Sequence, residues 1–122
     1  MALANYGYQK IMNNGDEASG DGFKFRGGGI FQLSGRKNYT NFKTWYNKYD
    51  PDKDFVGNPS LLKNNDTVAI VSAMWFYKTE VLDRITVDST TTVKKVTKKV
   101  NGGKIGLDDR KALFTKAKDL IK

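Results

Sequence analysis

Gln32, Ser34 and Asn38 stand within seven residues of one another, in a stretch framed by Gly27, Gly28, Gly29 and Gly35. Their amide and hydroxyl groups make neutral hydrogen bonds, while Phe23, Phe25 and Tyr39 nearby offer flat apolar faces. Glycines at these positions let the main chain turn tightly and let a ligand approach it closely. The mixture suits an uncharged polar polymer such as a glycan better than a phosphate or a metal. The other reading is a glycine-rich turn that leads into a helix.

Charged chemistry has fewer sources. The chain holds no histidine and no cysteine, which removes the usual catalytic base, the commonest zinc ligand, thiol nucleophiles and disulfides. Asp16, Glu17 and Asp21 cluster beside the glycine-rich stretch and are either a local acid–base group or turn residues bonding their own backbone. Asp50-Pro51-Asp52-Lys53-Asp54 lacks the glycine and terminal glutamate of a calcium loop, so no metal is expected, and no cofactor. The triple glycine runs into Ile30 and Phe31 rather than Lys-Ser/Thr, which excludes a phosphate loop.

The elements that must position these residues read as mostly helical. Residues 2–12 look like the end of a helix, closed by Asn13, Asn14 and Gly15. A loop over 16–35 with a short extended piece at 30–33 follows. The pattern then predicts a helix over Arg36 to Tyr49, with Tyr39, Phe42, Trp45 and Tyr46 on one side, broken at Pro51. Asn65 to Ile85 is the strongest helix, apolar over so much of its circumference that it belongs at the centre of the fold. Val93, Val96 and Val100 predict a helix within 89–100 against a threonine-rich strand tendency. A last helix, capped by Asp108 or Asp109, carries Leu113, Phe114, Ala117, Leu120 and Ile121 on one face. With 122 residues, 39% of them hydrophobic, and no linker or repeat, residues 1–122 are expected to form one domain.

The order of residues is more specific than their composition. Gly20-Asp21-Gly22-Phe23-Lys24-Phe25-Arg26-Gly27, then Gln32-Leu33-Ser34-Gly35 and Asn38-Tyr39, closely resembles the signature of glycoside hydrolase family 19, the chitinase and phage endolysin family. Asp54 to Pro59 resembles the family's Asn-Pro turn, and Ala73-Met74-Trp75-Phe76 its aromatic core helix. Asn101-Gly102-Gly103 and Arg110 resemble its Asn-Gly-Gly segment and downstream arginine, so the likeness covers nearly the whole chain. It implies a mainly α, lysozyme-like fold, truncated at the N-terminus.

By this resemblance Gln32, Asn38 and Asn101 match sugar-contacting positions, Ser34 the position that holds the attacking water, and Tyr39 a residue shaping a subsite. Arg110 matches an arginine linked to the carboxylate network, and Arg26 either tethers the loop or lies in solvent. Each has a plainer reading: helix capping for Ser34 and Asn38, a helix C-cap for Asn101, a surface charge for Arg110. Two departures stand out. Gly28 replaces the usual arginine, and neither Glu17 nor Glu80 aligns with the family's general acid or base, which lie upstream of the signature.

Three functions therefore compete. One is a lytic hydrolase-type domain acting on β-1,4-linked N-acetylated glycan, peptidoglycan or chitin, using a substitute carboxylate or a separate N-terminal polypeptide that carries the glutamates. The second is an inactive remnant that binds glycan or protein. The third is a basic domain for nucleic acid or a host protein, resting on the net charge of +8 and the lysines after residue 93. No membrane span and no signal peptide are expected, so a phage-encoded protein of the host cytoplasm or virion, acting at the wall, fits the resemblance.

Overall fold

A computed structural model describes residues 11–121, and the helix expected over 2–12 lies mostly outside them. The described residues are mainly helical, and they group into two compact units that divide after Phe76.

The first unit starts with a 3-10 turn, Glu17–Ser19, capped by the Asp16 side chain. Helix α1 (Asp21–Lys24) follows, then an irregular loop, helix α2 (Arg36–Tyr46), a 3-10 turn Pro59–Leu62 and helix α3 (Asp66–Phe76). The expected loop over 16–35 is thus partly helical. Its expected extended piece is reduced to one antiparallel bridge, Gly28 with Leu33.

Aromatic residues build the core here. Phe42 is fully buried, with the rings of Phe55, Trp75 and Tyr46 at 4.9, 5.3 and 5.5 Å. Phe25, Leu33, Tyr39, Leu62 and Val68 complete the cluster. Helix α2 stops at Tyr46, three residues early, because Asn47 turns the chain: its Nδ2 donates to the carbonyls of Asp50 and Lys53, both at 2.8 Å. Asp54 then accepts from the backbone N–H groups of Gly57 and Val56 and pairs with Lys43 at 2.8 Å. The Gly57 N–H, followed by Lys43, holds its carboxyl down at about 2. This turn delivers Phe55 into the core.

Helix α3 begins where Asn65 Oδ1 accepts from Val68 N at 3.0 Å. Val68, Ser72, Ala73 and Trp75 are buried, but Ile70 and Met74 are exposed, so α3 lies at the edge of the core and not at its centre. The α-helix gives way at Phe76 to π and 3-10 turns that run on without a break to Arg84, so the helix expected over Asn65 to Ile85 holds in extent but not in type.

The second unit opens with a π turn, Tyr77–Val81, and a 3-10 turn, Leu82–Arg84. Helix α4 (Val93–Asn101) forms as expected, beginning at Thr92, whose hydroxyl accepts from Lys95 N. Residues 88–91 are instead a turn, closed by Asp88 bonding Thr90 and Thr91. Helix α5 (Leu107–Leu120) starts at Gly106 in left-handed geometry, with no side-chain cap. The expected cap by Asp108 or Asp109 is therefore absent, because both already lie inside the first turn. Only Leu107 of α5 is buried; Leu113, Phe114 and Leu120, and Ile121 just beyond it, are exposed.

Candidate functional site

The glycine-framed loop of the first unit is pinned from both ends. Gly28 and Leu33 exchange backbone hydrogen bonds at 3.0 and 2.8 Å, closing a six-residue excursion that carries Ile30, Phe31 and Gln32 outward. Gln32 takes a positive φ of 53°, uncommon outside glycine, and its Nε2 donates to Gly29 O at 3.1 Å. Gly29, at φ +68° and packed against Ser72 of α3, has no room for a side chain. Beneath the loop the Tyr39 hydroxyl donates to Arg26 O at 3.0 Å, and the Phe25 ring meets Tyr39 edge-on at 5.2 Å.

At the loop's exit, Ser34 Oγ donates to Gln32 O at 2.9 Å, and Asn38 Nδ2 donates to Ser34 O at 2.8 Å. Neither caps α2. That role falls to Asn14, whose Oδ1 accepts from Arg36 N at 2.8 Å across 22 residues. Asn14, Gly22, Arg26 and Ser34 help to line a small cavity of about 160 Å³. Ser34 and Arg26 thus share a concave surface. Gln32 lies exposed, and Asn38 is half-buried.

Tyr39 does not belong to the surface. It is fully buried, and burial pushes its phenol up to about 12. A sugar cannot reach it, so the subsite role implied by resemblance is replaced by a structural one, supporting the loop through Arg26 O. Arg26 itself lies in solvent with its guanidinium over the Phe23 ring at 4.0 Å and Nη1 donating to Phe23 O.

The acids near this loop are committed to structure. Asp21, fully buried, accepts from Arg36 Nε and Nη2, both at 2.7 Å, and from Gly15 N at 2.8 Å. The paired guanidinium holds its carboxyl below the usual range, so it stays ionised at neutral pH and has no proton to donate. Asp16 caps its own 3-10 turn, and Glu17 lies in that turn's first position. The local acid–base group considered from the sequence is thereby corrected for Asp21: its charge is spent tying Gly15, α1 and α2 together. Cations dominate instead. Burial, and then the neighbouring Arg26, lowers the Lys63 ammonium.

Gly28 explains its departure from arginine by packing. A Cβ there would meet Leu62 Cδ2 and Tyr39 Oη, each at 2.7 Å. Gly28→Ala is expected to cost about 1–3 kcal/mol through overpacking, read as a lower urea midpoint with unchanged slope. An unaltered midpoint would show that the loop yields freely.

In the second unit Asn101 ends α4 just before Gly102, which is left-handed at φ 72°. Its Oδ1 accepts from Gly103 N, and its Nδ2 donates to Ile105 O at 3.2 Å. Both ends of the amide therefore serve the turn, while Gly102 is the C-cap of the helix. Arg110 is exposed and donates from Nη1 to the same Ile105 carbonyl at 2.7 Å; among the described residues it has no ion pair. Sequence reasoning missed Asn14 and the Asp21–Arg36 pair, because contacts across 22 and 15 residues leave no local signal.

A mainly helical chain with this loop and its Gly-Asp-Gly and Gln-Leu-Ser-Gly elements has the features expected of a glycoside hydrolase-type domain. No family model matches the chain. A curated relative, the glycosyl hydrolase family 19 domain-containing protein of Haemophilus influenzae, is 36% identical over 112 residues, covering 92% of this chain and 50% of the relative. The chain is a domain related to glycoside hydrolase family 19. It spans about half the length of that relative. No helix among the described residues is long and apolar enough to cross a membrane.

Proposed function

We propose that this chain is the glycan-holding portion of a lytic, endolysin- or chitinase-type hydrolase, acting on β-1,4-linked N-acetylated wall glycan. The general acid and base are supplied by residues outside this sequence, in a separate polypeptide or segment. Cleavage of a glycosidic bond generally needs two carboxyl groups, roughly 6.5–9.5 Å apart in an inverting mechanism. The observation that carries the reading is the bidentate pair between the fully buried Asp21 and the partly exposed Arg36. It takes the acid nearest the loop out of catalysis while it holds the loop's frame in place. Within the first unit, Gln32, Ser34 and Asn38 then supply neutral hydrogen bonds for hydroxyl and acetamido groups. The protein acts at the bacterial wall after release from the cytoplasm of a phage host, or from a virion. Adding a polypeptide that carries the two glutamates to this chain should restore wall lysis in a turbidity assay; lysis that never exceeds that of either piece alone would refute the split arrangement.

The basic lysines favour a second reading, attraction to anionic polymers. Lys94, Lys95, Lys98 and Lys99 are all exposed on α4. Replacing all four by Gln should leave the fold intact and abolish most association with wall polymer or DNA, with binding in the parent falling steeply between low and physiological salt. Salt-resistant, sequence-specific DNA binding would make nucleic acid the principal partner.

A further inference from the structure

Thr97, in the middle of α4, is 2% exposed, and its hydroxyl oxygen is the one buried side-chain polar atom among the described residues that has no hydrogen-bond partner. A buried hydroxyl without a partner is costly, and a methyl group in its place would be cheaper. Thr97 lines a cavity of about 410 Å³ within the second unit, a volume typical of small-molecule sites. Val87, Val93, Val96 and Phe114 give this cavity an apolar wall, and Arg110 stands on its lining. Thr97 is itself among the residues that line the cavity, and threonine in a helix divides between two χ1 wells.

Donor capacity stands unused on this lining, beside an Asp88 carboxylate whose Oδ1 is taken up by Thr90 and Thr91. Arg110 has five N–H groups, of which the structure engages Nη1 with Ile105 O. Asp88 also lines the cavity, but its carboxylate accepts from Thr90 N at 2.8 Å and from Thr90 Oγ1 at 2.6 Å. The charge of Lys95 lies close enough to act on it. An apolar wall, a guanidinium and an unsatisfied hydroxyl match a ligand with an apolar tail and an anionic, hydrogen-bond-accepting head.

We propose that this cavity binds a small monocarboxylate with a short acyl tail, the tail packing on the valines and Phe114 and the carboxylate accepting from Arg110 and from the Thr97 hydroxyl. The site is separate from the loop of the first unit and goes beyond the glycan reading. The probe is octanoate, titrated into the full chain below its micelle concentration and followed by amide and methyl NMR shifts. Acetate serves as the head without the tail, and 1-octanol as the tail without the charge.

Saturable shifts at Val93, Val96, Thr97 and Phe114 are expected with octanoate, and binding at least about tenfold weaker with either control. Thr97→Val should fold with a raised Tm, since it removes the orphan hydroxyl, yet bind octanoate about five- to tenfold more weakly. Arg110→Gln should weaken binding about ten- to a hundredfold, and Arg110→Lys should recover part of the loss. Octanoate that does not saturate, octanol that binds as tightly, or a Thr97→Val protein with parental affinity would each overturn the proposal. Glycan binding is read from signals of residues 26–39, so failure of one site is distinguishable from failure of the other.

Discussion

Asp21→Asn is expected to destabilise the first unit by about 2–4 kcal/mol. The substitution removes the charge from two 2.7 Å hydrogen bonds to Arg36 and places an amide NH₂ where one carboxylate oxygen accepted. Breaking a fully buried pair costs about 3–5 kcal/mol, but the Arg36 side chain is 38% exposed and regains water, which lowers the figure. Gly15 N also loses a charged acceptor, so the turn before α1 loosens with the pair. The pH dependence follows from the lowered carboxyl. A group whose folded value lies below its unfolded value of about 3.9 contributes its full stability above that value, and loses it as the pH falls through the folded value. The parent should therefore lose stability below about pH 4. The variant, already weaker at neutral pH, should lack that portion of the acid transition. Urea midpoints at pH 7 and pH 3 measure both. Equal midpoints for the two proteins at pH 7 would show that the pair is not what frames the loop.

Hydrolysis by this chain alone is expected to fall short of a family enzyme by at least about 10²–10⁴-fold, the share that general acid–base catalysis contributes. Neither of its two glutamates matches a catalytic position by resemblance, and Asp21 is fixed as an ionised partner of Arg36. Reducing-sugar release from chitin oligomers and clearing of peptidoglycan suspensions are the assays. Asp16→Asn and Glu17→Gln should change neither signal. Turnover near that of an intact family enzyme, lost on replacing either residue, would identify a substitute acid and overturn the reading.

The parts of the fold that rest on local pattern were legible in the sequence. The apolar spacing of Phe42, Trp45 and Tyr46 located α2, and that of Val93, Val96 and Val100 located α4 against the β-tendency of the threonines. Periodicity reports which residues prefer burial, not whether a neighbour exists to bury them. That is why Ile70 and Met74 of α3, and Leu113, Phe114 and Leu120 of α5, looked like core and lie exposed. Caps were hard to read for a related reason, and the one expected at Asp108 or Asp109 is absent. Ser34, Asn38, Asp108 and Asp109 are good capping residues by type, yet Asn14, far off in sequence, caps α2, and α5 starts at Gly106. In the candidate site, the neutral polar character of Gln32, Ser34 and Asn38 was readable from residue type. The burial of Tyr39 beneath the loop needed the tertiary packing of Phe25 and Leu62.

Titration with N-acetylglucosamine oligomers tests the central claim most directly, because it asks for glycan binding without asking for catalysis. Contacts limited to neutral hydrogen bonds offset only part of the association cost, so a dissociation constant of about millimolar to high micromolar is expected, roughly −4 to −6 kcal/mol. Amide signals of residues 26–39 should move saturably, with those of 101–103 responding if Asn101 contacts sugar, and Gln32→Ala should weaken binding by about 1 kcal/mol or more. Shifts confined to the lysine-rich helix α4, or none at saturating sugar, would contradict the account and leave the glycine-framed loop as a purely structural feature.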